Sequence, residues 1–234
     1  TSAAGAAVGD PSGQSEAQAD DAQSVAAWRP RPLLIGIAGG SGCGKTTLAR
    51  TIVDLARNSS VALISTDEYY RTLSSEDHVK AQLGEINFDR LEALDLDRLI
   101  ADVKRMKADA EWPVQLPSYD FVAHRSIEAH TALARPDGII VEGLFALAVP
   151  ELRELFDLRV FATDDIDTCL VQRLRRDSEE RGIPMSPALT QYQRHVKPAY
   201  DTIVGPSVVH ADIVVPKATR SESAARLVAG WIES

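Results

Sequence analysis

Short, nearly unbroken apolar runs alternate along this chain with longer stretches of helical periodicity. The runs Leu33 to Ala38, Val61 to Ser65, Gly138 to Val141, Leu158 to Ala162 and Ile213 to Val215 have the length and composition of strands covered on both faces. Lys45 to Arg57, Leu91 to Ala108, Ile166 to Glu180, Pro187 to Val204 and Glu222 to Ile232 carry the 3.6-residue period of helices. Strands separated by such segments form βαβ crossovers. The fold class this predicts is α/β, with a doubly wound, five-stranded parallel sheet. Trp112 to His124, interrupted by Pro113 and Pro117, predicts an irregular hairpin inserted between a helix and the next strand.

The first residues depart from this pattern. Thr1 to Trp28 is mostly Ala, Ser, Gly, Gln and Asp, with too little apolar surface to offset the entropy of ordering. Residues 1–29 are therefore expected to be a disordered tail and 30–234 the folded domain, entered through Arg29-Pro30-Arg31-Pro32. The tail lacks the basic start and apolar stretch of a secretory leader. No run in the chain approaches the roughly 18 apolar residues of a membrane helix.

Charge narrows the partners. Lys and Arg number 25 against 34 Asp and Glu, a net charge of −9, and removing the tail's four acids leaves −5. That is the wrong sign for holding nucleic acid or an anionic membrane. Any anionic ligand must be gripped locally. The two cysteines, Cys43 and Cys169, suit a reducing, cytoplasmic setting better than a disulfide-stapled one.

The strongest local signal is Gly39-Gly40-Ser41-Gly42-Cys43-Gly44-Lys45-Thr46. It satisfies G-x-x-x-x-G-K-[ST] between an apolar run and a predicted helix, as a phosphate-binding P-loop requires. Its glycines let backbone N–H groups wrap a phosphate at a helix N-terminus. Lys45 would reach the β- and γ-phosphates of ATP or GTP, and Thr46, followed by Thr47, would ligate Mg²⁺. Cys43 is expected to be only a small residue the loop tolerates. Glu142 ends the run Ile139 to Val141, on the sheet edge where α/β proteins bind ligands. It is the candidate carboxylate for Mg²⁺, or else a cap for the next segment. Asp67 likewise follows a strand; position alone leaves it as either a carboxylate that orients an acceptor hydroxyl or a helix cap.

The P-loop, Asp67 with Tyr70 and Arg71, Asn87-Phe88-Asp89, the segment Pro117 to Arg125, Glu142-Gly143, Arg176-Asp177 with Arg181-Gly182, and Val196-Lys197-Pro198 together resemble the uridine-cytidine kinases of the phosphoribulokinase/uridine kinase P-loop family. The likeness runs over nearly all of residues 33 to 216. It implies transfer of the γ-phosphate of ATP or GTP to the 5′-hydroxyl of a pyrimidine ribonucleoside, in pyrimidine salvage, by a homotetramer. It assigns Asp67 to the acceptor hydroxyl, Asp89 and Gln191 to the ribose, and Tyr119 and His124 to the pyrimidine edge. Phe88 would pack on the ring, with Tyr70 and Phe121 completing the substrate side. Arg173, Arg176 and Arg181 become a lid over the transferring phosphate, Arg173 also touching substrate. The acceptors of the related phosphoribulokinases and pantothenate kinases lack a base for Tyr119 and His124 to read. A non-catalytic nucleotide-binding regulator would need neither these residues nor Asp67. Two departures stand out: Ile183 occupies a position where the family commonly has an arginine contacting the nucleoside, and Asp67-Glu68-Tyr69-Tyr70 replaces the usual Asp-Ser-Phe-Tyr. Both point to a modified pyrimidine nucleoside, or a weaker grip on the ordinary one, as the variant reading.

Overall fold

The computed structural model describes residues 31–83, 85–109 and 112–234; the expected tail lies outside them. Seven strands are Leu33–Gly39 (β1), Val61–Ser65 (β2), Val114–Asp120 (β3), Arg125–Leu133 (β4), Gly138–Glu142 (β5), Leu158–Thr163 (β6) and Ile213–Pro216 (β7). Five of them form one parallel sheet in the order β2-β5-β1-β6-β7, and β3 and β4 pair separately as an antiparallel hairpin. The five sheet strands are those predicted from the apolar runs, each to within one residue.

Helices cover both faces because side chains of β1 alternate between two cores. Leu34 and Ala38 join the core that includes Leu99, Val103 and Met106 of helix α3, Leu96–Lys107. Ile35 and Ile37 join the opposite core, with Leu48 and Ile52 of helix α1, Lys45–Leu55, and Ala225, Val228 and Ile232 of the C-terminal helix, Glu222–Glu233. Gly36 faces the first core with no room for a side chain: an added Cβ would lie 2.3 Å from the ring of Phe156, which follows the short helix α4, Pro150–Arg153.

Four expectations need correction. β7 is an edge strand, with Ile213 and Val214 exposed and Val215 buried, so it is not covered on both faces. The helix expected from Leu91 begins only at Leu96, capped by Asp95 Oδ1, which accepts from the Arg98 N–H. Before it, the Arg71 N–H donates to the Ala93 carbonyl and the Asp95 N–H to the Tyr69 carbonyl, holding residues 93–95 against the chain after β2. The hairpin extends to Leu133, with His124 at its turn rather than its end. The helix predicted over 187–204 spans 185–204 but widens to π-helical turns at 192–196 and 200–204. Pro198 has no N–H to give, and its ring crowds the carbonyl of Arg194. The helix Ser75–Gln82 (α2) was not predicted, since its side chains are mostly polar and exposed. No helix among the described residues is long and apolar enough to cross a membrane.

Gly36→Ala should destabilise the fold by about 1–3 kcal/mol through overpacking. Gly230, where an added Cβ meets nothing within 4 Å in the C-terminal helix, should gain about 0.5–1 kcal/mol as Ala. Thermal unfolding of both variants measures the opposite signs.

Candidate active site

The parallel sheet delivers three loops to one edge. Ile37 of β1 and Ser65 of β2 both lie opposite Glu142 of β5, so the loop after β1, the turn after β2 and the end of β5 are immediate neighbours. The loop after β1 is built on left-handed glycines: at Gly42 (φ +79) and Gly44 (φ +93) a Cβ would come within 2.2 Å of the Cys169 carbonyl and 2.5 Å of Thr219. Gly44 also begins α1 without any side-chain cap or first-turn acid, leaving that helix's N-terminal N–H groups to an anion. Lys45 Nζ, nearly buried, donates to the Gly40 carbonyl at 2.9 Å. The Thr46 hydroxyl donates to Glu142 Oε1 at 3.1 Å. Cys43 points away, its Sγ donating to the Ala162 carbonyl and its thiol pushed up by burial. Thr47 faces solvent on α1.

Asp67 is not a cap. Ser65 Oγ accepts from the Asp67 N–H and caps the 3₁₀ turn Thr66–Tyr69, so the Asp67 carboxylate is left to line a solvent-open cavity. Lys45, Thr46 and Glu142 line the same cavity, as do Tyr70, Phe88, Asp89, Tyr119, Phe121 and His124. Arg173, Arg176, Arg181, Ile183 and Gln191 complete its wall. Sequence positions from 41 to 191 thus converge on one chamber.

One part of its wall is aromatic. His124 stacks on Phe88 (5.2 Å, 25°), Tyr70 meets Phe88 and Tyr119 at 5.8 and 5.7 Å, and Tyr119 packs edge-on against Phe121 at 5.2 Å. The Tyr119 hydroxyl is buried with no hydrogen-bond partner among the described residues, and burial raises it to about 12. Orphan polar atoms in a cavity wall are what a polar ligand satisfies. Burial, together with the neighbouring His78 and Arg181, lowers the pKa of His124 and keeps the imidazole neutral.

The arginines are organised by one buried carboxylate. Asp177, on the helix Ile166–Glu179 (α5), is fully buried. Its Oδ1 accepts from Arg176 Nη2 at 2.7 Å and Nε at 3.1 Å, with Arg181 Nη1 at 3.7 Å, and its Oδ2 lies 3.3 Å from Arg173 Nε. Arg173 spends its remaining nitrogens on Ser41 Oγ (2.7 Å) and Gln191 Oε1 (2.9 Å), tying the glycine loop to α5 and to the following helix. Arg181 lies over the Phe121 ring, 4.7 Å from its centroid, so the arginine segment touches the hairpin.

Sequence reasoning missed Asp177 as a hub, His78 beside His124 at 5.3 Å, and Glu68, whose Oε2 accepts from the Tyr119 N–H at 2.6 Å. Asp177 carried a signal in its i+1 and i+4 spacing to the three arginines; the other two contacts are tertiary and left none.

Oxygen donors suited to a hard cation are present in Thr46 and Glu142. The described residues hold no cluster of three or more His, Cys, Asp or Glu able to hold a metal ion.

Residues 34–224 match the phosphoribulokinase/uridine kinase family. The chain is 38% identical over 200 residues to the uridine-cytidine kinase-like 1 protein of Mus musculus, covering 86% of this chain and 36% of that protein. It is 34% identical over 206 residues to the uridine kinase of Streptococcus gordonii, covering 87% and 95% respectively. The chain therefore spans well under half of the mouse relative but almost all of the streptococcal one. Among solved structures, the phosphoribulokinase of Rhodobacter spheroides superposes with a TM-score of 0.61 at 16% identity, covering 80% of this chain and 70% of that one, which is a likeness of fold.

Glu142 is buried, and desolvation raises its carboxyl above the ordinary 4.5 despite Lys45. A carboxyl raised by folding costs stability once it ionises, above its folded value, and costs none below the unfolded one. Glu142→Gln should therefore melt higher at pH 7, by roughly 2–4 °C for about 1 kcal/mol. In melts across pH that advantage should vanish as pH falls through 4.5.

Proposed function

The chain belongs to the phosphoribulokinase/uridine kinase family, and we propose that it is an ATP-dependent pyrimidine nucleoside kinase that phosphorylates the 5′-hydroxyl of uridine or cytidine, giving UMP or CMP. The observation that carries this reading is the make-up of the chamber wall. Lys45, Thr46 and Asp67 share one cavity wall with a cluster of aromatic rings, His124 and the unpartnered Tyr119 hydroxyl. A phosphate donor and a flat, polar-edged acceptor are the two ligands such a wall suits.

The donor phosphates lie in the glycine loop, where Lys45 and the α1 N-terminus offset their charge. ATP or GTP serves, the loop reading phosphates rather than a base. Mg²⁺ would be held by Thr46 and Glu142, and when bound it supplies further neutralisation of the β- and γ-oxygens. Asp67 accepts a hydrogen bond from the 5′-hydroxyl, aligns it, and takes its proton as the bond to phosphorus forms. Asp89, 5% exposed and raised by burial against the pull of Arg173, holds the ribose hydroxyls with Gln191. Tyr119 and His124 meet the base edge; a neutral imidazole can donate or accept, so 4-oxo and 4-amino pyrimidines both fit. Arg176 and Arg181 neutralise the charge developing on the transferring phosphoryl group, while the closed lid keeps water from it. Ile183 on the chamber wall favours an apolar substituent on the nucleoside, the variant reading. A homotetramer acting in cytoplasmic pyrimidine salvage is the setting the family resemblance suggests.

Product assays with uridine, cytidine, a 5-substituted uridine, pantothenate and ribulose phosphate should give phosphorylation of the nucleosides alone; none on any nucleoside refutes the assignment. Asp67→Asn should lower kcat by about 10²–10⁴-fold, the scale of a lost general base, with ATP binding by calorimetry unchanged. A regulator that only binds nucleotide would show no turnover to lose.

A further inference from the structure

The 3₁₀ turn after β2 repeats every three residues, so its side chains fall on three faces. Thr66 and Tyr69 face the core, Tyr69 donating its hydroxyl to Asp102 Oδ2 at 3.1 Å. Asp67 and Tyr70 face the chamber. Glu68 takes the third face, where its Oε2 accepts from the Tyr119 N–H at 2.6 Å. That carboxylate is joined to the backbone of the hairpin residue whose side chain lines the chamber, and it is adjacent in sequence to Asp67.

A two-stranded hairpin is marginally stable alone, and β3 and β4 pair with no strand of the main sheet. Val114, Leu116 and Leu133 seat their base on the main core, and further out their orientation comes from hydrogen bonds to the segment after β2. The Leu73 N–H donates to the His124 carbonyl at 3.0 Å, and Thr72 Oγ1 accepts from the Ser126 N–H at 3.0 Å, both at the β4 end. Glu68 supplies the corresponding bond to β3, and it is the charged one, hence the stronger. Pro117 breaks the β3–β4 register between Leu116 and Ser118, leaving the strand around Tyr119 more dependent on this outside partner.

We propose that Glu68 is a positioning residue that sets the distance between the two ends of the acceptor. Its carboxylate locks the base-reading Tyr119 to the turn that presents Asp67, so that a nucleoside seated on the hairpin brings its hydroxyl to the carboxylate. This rests on the nucleoside kinase reading above. It also gives the Glu in Asp67-Glu68-Tyr69-Tyr70 a task that the shorter serine usual in the family does not reach.

Glu68→Ala removes the acceptor, whereas Glu68→Gln keeps an oxygen at the same reach. In steady-state kinetics Glu68→Ala should raise KM for the nucleoside about 10-fold, the scale of one charge-assisted hydrogen bond, with KM for ATP within about 2-fold and the melting temperature little changed. Glu68→Gln should return the nucleoside KM most of the way to the parent value. Amide hydrogen exchange at Tyr119 supplies a readout independent of turnover: protected in the parent and Glu68→Gln, and fast in Glu68→Ala. An unaltered nucleoside KM in Glu68→Ala, or donor and acceptor KM rising together with a falling melting temperature, overturns the proposal. Should the parent phosphorylate no nucleoside, the functional reading fails by itself, and unchanged Tyr119 exchange in Glu68→Ala then overturns the positioning role separately.

Discussion

All five strands of a parallel sheet end on the same side, and everything chemical in this protein follows from what the chain does at those ends. β1, β5 and β2 lie side by side through unbroken ladders. The glycine loop, Glu142 and Asp67 therefore need no long-range search to meet; backbone hydrogen bonds bring them together before any ligand arrives. Two apolar cores, one on each face, hold the ladders flat against α1 and α3, so the spacing of the three groups inherits the rigidity of close packing.

The remaining groups come from elements outside the sheet, and their placement depends on polar contacts. Above a base seated on the main core by Val114, the hairpin is held by hydrogen bonds to the segment 68–73, and α5 by Arg173 bridging to Ser41 and Gln191. Where these two outlying parts touch, Arg181 covers Phe121. The contact joins the arginine segment to the ring cluster of the hairpin, so the two outlying parts of the chamber wall meet directly.

The sheet and the loop were legible because each is written locally. A buried parallel strand needs an uninterrupted apolar run, and a phosphate loop needs glycines at fixed spacing; both leave marks in adjacent residues. Helix α2, SEDHVKAQ, left none, because a short exposed helix buries no stripe. The strand Arg125–Leu133 was missed because charged and polar residues alternate with its apolar ones beyond a turn that looked like an end. At the site, the residue types were readable while their partners were not. Asp177 looks like any i,i+4 surface acid until three arginines close over it. Glu68 looks like a solvated neighbour of Asp67 until a strand 51 residues later offers its N–H.

The buried carboxylate at position 177 also bears on what the chamber ignores. It offsets part of the charge of three guanidiniums, so a lone inorganic phosphate or sulfate is attracted less strongly than it would be by bare guanidiniums. A polyphosphate that also engages the glycine loop and Lys45 brings additional contacts that a lone oxyanion cannot match. An internal counterion of this kind favours a ligand that bridges both walls over a lone small anion.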